Sequence, residues 1–196
     1  QSKKATRWKR NRKFGDVYGG RTRPKLSENI FSRCHSLARP SENDPLPVLI
    51  EDNPSRDYFF PLSVEQCWEA VQALPKRDTE GLTHIWCRRL SGRQVRSGEY
   101  PFAEFICGSG VRVVVLYPWP RSMKMRHGSE KLSNQFLNEL KKFGAVVEFE
   151  DGQWISKWGP SGLRKFYIEA LIYHEVGHHV DWYRRHWSSA NHRAIE

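Results

Sequence analysis

His174, Glu175 and His178 stand in the spacing His-Glu-x-x-His within LIYHEVGHHV, residues 171–180. On an α-helix, residues four apart share a face, with about 6 Å between their Cβ atoms. Two imidazoles so placed can hold one metal ion, and Zn²⁺ is the ion best suited to them. The Glu between them leaves the helix about 100° round from His174 and about 60° from His178. It therefore sits beside the metal face, where a general base to a metal-bound water belongs. The chemistry these three residues could carry is metal-assisted hydrolysis, with the ion lowering the pKa of its water and polarising a carbonyl.

The surrounding pattern predicts the element that would hold them. Pro160 closes a loop, Ser161 can cap, and an uninterrupted helical pattern runs from Gly162 to Arg185. Leu163, Tyr167, Ala170 and Leu171 fall on the face of His174, His178 and Asp181, and Phe166, Ile168, Ile172, Val176 and Val180 cover much of the remainder. A helix apolar nearly all round is expected to be a buried core helix. Two His and a Glu inside it would be costly to bury without a partner, and a metal is one such partner. The competing reading is a pair of hydrogen-bonded core histidines.

The ten residues around the motif resemble the zincin superfamily of zinc metallopeptidases. Leu171, Ile172, Tyr173, Val176, Gly177 and Val180 are uncharged, as in that family, while His179 departs from its habit. The resemblance implies an α+β, minimal zincin-like fold: a twisted, mostly antiparallel sheet backed by the buried motif helix. It also implies a zinc-dependent peptidase that hydrolyses a protein or peptide substrate, with Glu175 as general base. A sheet edge borders the cleft in such folds, and the hairpin at 145–158 is the candidate edge, or else another core strand pair.

A catalytic zinc needs a third protein ligand. His179 points about 100° away from His178, and His186 lies about 18 Å along the axis from His174, so neither completes the site. The ligand is expected from a segment that turns back, within WSSANHRAIE at 187–196, where Ser188, Ser189 and Asn191 can cap and His192 and Glu196 share a face. Glu196 there resembles the gluzincin branch and is the expected ligand. His192 is the alternative and resembles the Spartan-like branch, whose members cut proteins attached to DNA. The metzincin pattern is excluded, since Asp181 and Arg184 occupy the positions of its Gly and His. The chain begins with Gln and ends inside a helical pattern, so extension at both ends, and a ligand beyond Glu196, are also expected. Tyr173 and Tyr183 are in sequence range of an oxyanion. Asp181 could orient a ligand imidazole or pair with Arg184 or Arg185.

Charge points to a second property. The chain holds 32 Lys+Arg against 22 Asp+Glu, a formal net charge of +10. Residues 1–40 hold 12 Lys/Arg against Asp16 and Glu28, so this basic N-terminal arm carries the whole excess, and residues 41–196 balance. Trp8, Phe14 and Tyr18 interleave the cations, a composition suited to nucleic acid. The alternative is a solvated arm that docks on its own domain or on an acidic protein. A nucleic-acid-associated binding protein with a structural or inactive zinc site is thus the rival function. A peptidase recruited to DNA or RNA joins the two readings.

The rest of the chain reads as a Pro-rich linker at 41–62 and one domain at 63–196. Ser63 and Gln66 form a capping box for VEQCWEAVQAL. Strands are expected at 83–90, 101–107 and 111–117, a helix at 129–142 closed by Gly144, and a hairpin about Asp151-Gly152. Cys34, Cys67, Cys87 and Cys107 form no Cys-x-x-Cys pair, and nothing in their spacing requires a disulfide. No apolar run reaches membrane-spanning length, so no membrane partner and a cytoplasmic location are expected.

Overall fold

The structure, a computed structural model, describes residues 37–98, 100–108 and 110–185. Its centre is a four-stranded sheet in the order β1-β3-β5-β4. The strands are β1 (Val48–Glu51), β3 (His84–Cys87), β5 (Val111–Leu116) and β4 (Ala103–Gly108). β1 runs parallel to β3, and β3 parallel to β5, while β4 is antiparallel to β5 at the edge. The fold is α+β, as expected. The central sheet, however, is mixed and mainly parallel, where a mostly antiparallel one was expected.

The difference lies in β1. The prolines around VLIE read as a linker, yet residues 48–51 pair in register with the whole of β3. Glu51, the last residue of β1, accepts a 2.7 Å hydrogen bond from the Val64 N–H at the start of α1 (Val64–Gln72). The expected capping box is present as well: Ser63 accepts from the Gln66 N–H, and Gln66 accepts from the Ser63 N–H. The entry of the crossover from β1 into α1 is thus fixed by side chains, and a parallel strand pair requires such a crossover.

The two faces of the sheet separate by strand alternation. Leu49, Ile85, Cys87, Phe105, Val114 and Leu116 join the main core beneath the helices. Trp86, Val111, Val113, Val115 and Tyr117 form a second cluster, to which Leu37 and Leu90 belong. Two smaller sheets complete the fold. One pairs β2 (Tyr58–Phe59) with β6 (Trp119–Pro120); the other has the order β7-β9-β8, from Lys124–Arg126, Gln153–Lys157 and Val146–Glu150. The β8–β9 turn has Asp151 at φ 49° and Gly152 at φ 78°, the left-handed pair that an Asp-Gly hairpin demands. The expected helix at 129–142 is shorter: Ser133 caps it, and α4 covers Asn134–Lys142. Short helices α2 (Lys76–Thr79) and α3 (Gly92–Ser97) flank β3.

The chain then enters its last helical stretch. It begins at Pro160, with Gly159 as cap and Pro at the first helical position, where a missing N–H costs nothing. It is helical to Arg185, but not as one regular α-helix. α5 (Pro160–Phe166) leads into a π-helical segment, Tyr167–Ile172, and only then into α6 (Tyr173–Arg185). No helix among the described residues is long and apolar enough to cross a membrane.

Candidate active site

The π segment decides which way the motif faces. A π turn accommodates one extra residue, so the face that follows is displaced by one position from a regular helix. In α5 the buried residues are Leu163 and Phe166, followed by Tyr167 in the π segment. Regular periodicity would carry that face to His174 and His178. From the end of the π segment onward the buried positions are instead Leu171 and Ile172 within it, then Glu175, Val176 and His179 in α6. Tyr167 anchors the displaced segment: its hydroxyl donates a 2.6 Å hydrogen bond to the Tyr117 carbonyl, just beyond β5.

The expectation of a helix buried all round is therefore corrected. His174 is exposed and His178 half-buried, on the wall of an open cleft of about 450 Å³. The cleft is lined by Tyr173, Gly177, Val180 and Asp181 from the same helix, and by Leu74 and Asp78 from the α1–α2 region. Asp78 is a cleft residue the sequence did not single out. Nothing in local spacing connects residue 78 to residue 178; only the packing of α2 against α6 does.

Within the cleft the two imidazoles converge. His174 Nε2 and His178 Nε2 are 3.0 Å apart, with ring planes at 83°. Two nitrogens bound at about 2.0–2.1 Å to a tetrahedral ion lie about 3.3 Å apart. The pair thus presents both donors at nearly the separation one Zn²⁺ requires. Burial holds the His178 pKa below the ordinary imidazole value, and the adjacent His174 lowers it further, while Asp181 opposes both. A neutral imidazole is the form that binds a metal.

Glu175 occupies the neighbouring side of the helix, buried against edge strand β4. Its carboxylate accepts from the Phe105 N–H. Burial, the largest cause, raises its pKa to about 7; the Phe105 bond pulls the other way, and the charge of Glu104 adds to the rise. A carboxyl poised near neutrality suits proton transfer in both directions. The strand beside α6 is β4, and the 145–158 hairpin lies instead with β7 and α4.

Compared with family models, curated proteins and solved structures, the chain matches none.

The remaining expected residues divide cleanly. His179, directed away from His178 as its spacing requires, bonds the Glu80 carbonyl through Nε2 at 2.9 Å and meets the Phe105 ring edge-on. It fastens α6 to the end of α2. Asp181 does line the cleft with the His pair. Glu196, His192 and His186 lie outside the described residues, as do residues 1–36 of the basic arm at 1–40. Among the described residues, no third His, Cys, Asp or Glu joins the pair in a group able to hold a metal.

Proposed function

We propose that this chain is a metal-dependent hydrolase of peptide bonds, with His174 and His178 as two ligands of a Zn²⁺ ion. The observation that carries the proposal is the convergence of the two Nε2 atoms, 3.0 Å apart, on an open cleft. Glu196 is the proposed third ligand, with His192 as the alternative. Zn²⁺ bound there would supply Lewis acidity and a water of lowered pKa.

The chain's own residues do the rest. The imidazoles bind as neutral donors. Glu175, held by the Phe105 N–H on the adjacent side of the helix, takes a proton from water and returns it to the leaving amine. His179 and the π segment fix the rotation of α6, which sets the imidazoles on the cleft and the carboxyl on the neighbouring side of the helix, against β4.

The test is metal analysis of the full chain beside a His174→Ala, His178→Ala variant. About one equivalent of zinc in the first and none in the second is the expected result. Equal zinc in both would refute the assignment. A second reading, association with nucleic acid, is favoured by the 12 Lys/Arg of residues 1–40. It is compatible with a peptidase that works on nucleic-acid-bound protein.

A further inference from the structure

Residues 41–196 are neutral in sum, but their charge is not evenly spread. RRLSGRQVR, residues 88–96, holds four arginines and no acid. The structure separates them into one that is used and three that are not. Arg88 stacks 4.8 Å over the Trp86 ring and pairs with Glu104. Arg89, Arg93 and Arg96 are exposed, and among the described residues none has a carboxylate within ion-pair distance. Asp52 has an oxygen engaged by the Arg89 backbone N–H at 3.0 Å.

Two of the three, Arg93 and Arg96, are carried by a helix capped at both ends. α3 has a complete capping box, Ser91 with Gln94, and ends on Gly98 in the left-handed region at φ 69°. Arg93 and Arg96 are three apart and share a helix face. Arg96 folds back along the helix, with its Nη1 beside Gly92. Close by in sequence, Tyr100 packs edge-on against Tyr58, with ring centroids 6.3 Å apart. Three like charges within eight residues, unpaired among the described residues, repel one another, in a chain that has 22 acids to offer. Their forked donors match phosphate oxygens in pairs.

We propose that the surface formed by Arg93 and Arg96 on α3 and by Arg89 just before it binds the phosphate backbone of a nucleic acid. It is a contact separate from the N-terminal arm and does not depend on the peptidase reading. The alternative polyanion, an acidic protein segment, is an outcome of the test.

The experiment measures anisotropy of labelled single-stranded and duplex oligonucleotides with the full chain across a salt series. It compares wild type with Arg89→Gln, Arg93→Gln, Arg96→Gln and with the matching Arg→Lys triple. The Gln triple is expected to weaken binding about tenfold or more. It should also make the slope of log K against log salt shallower by about 2–3, the counterions of three lost contacts. The Lys triple should keep the slope and weaken binding less. Both should melt like wild type, since the side chains are exposed. Unchanged affinity and slope in the Gln triple would overturn the proposal, as would a wild type that binds neither oligonucleotide at low salt. Polyglutamate competing as well as oligonucleotide at equal charge would overturn it in favour of an acidic protein partner.

Discussion

Glu175 and its two flanking histidines are neighbours in sequence but meet different surroundings. The imidazoles face solvent in the cleft, and the carboxyl faces the backbone of β4. Glu175→Gln keeps an oxygen to accept the Phe105 N–H and removes only the base. Because burial already raises the carboxyl pKa to about 7, a neutral side chain there costs little. Zinc content and melting temperature are expected to match wild type, while hydrolysis of a cognate protein falls by about 10²–10⁴. Loss of zinc would make Glu175 a ligand instead. Gly162 is constrained in a plainer way. A Cβ there would overlap the Phe143 carbonyl oxygen, backbone against backbone, where α5 crosses the end of α4. Gly162→Ala should lower the unfolding free energy by about 1–3 kcal/mol, read from urea titration. A neutral result would mean that α5 can shift without cost.

At the scale of elements, the π segment explains what the sequence could and could not disclose. Ser63 with Gln66, Asp151 with Gly152, and the β-branched run VRVVVL beside its Gly-rich turn announced α1, the β8–β9 hairpin and β5, because each signal lies within a few residues. VLIE did not announce β1, because its partner β3 is more than 30 residues away and pairs in parallel. The spacing of His174 and His178 announced that the two imidazoles share a face, since α6 itself is regular. The same spacing misjudged the rotation of α6, since nothing in YIEALI marks a π turn. Asp78 escaped for the reason β1 did. If the segment merely absorbs one surplus residue, then deleting exposed Glu169 should restore regular α geometry with both flanking faces in place. The deletion variant is expected to fold, to melt no lower than wild type and to keep its zinc. A variant that folds but loses zinc would show that the π turn itself, and not just the phase it sets, positions the imidazoles.

Over the whole molecule, three histidines away from the cleft make stability depend on pH: His84 and His179, which are buried, and His127, which is half-buried. His84 is buried on β3 with its Nδ1 2.8 Å from the Thr83 hydroxyl, and His127 Nε2 lies 2.9 Å from the Ser156 hydroxyl. Burial lowers all three pKa values from the ordinary 6.5. The unfolded chain therefore takes up protons below about pH 6.5 that the folded protein refuses until lower pH. Stability must fall as pH drops through that window, by up to about 1.4 kcal/mol per pH unit for each proton withheld. Glu175 acts with the opposite sign. Its folded pKa is raised to about 7 from 4.5, so over that interval the folded state holds a proton the unfolded state has lost, and acidification favours folding. The two contributions are separated by measuring urea unfolding from pH 7.5 to 5.5 in the Glu175→Gln background. There the loss on acidification is expected to be steeper than in wild type. Adding His84→Asn and His127→Gln, which keep a hydrogen-bonding atom near the bonded ring nitrogen, should flatten it. A slope unchanged by those two substitutions would place the acid sensitivity on other groups.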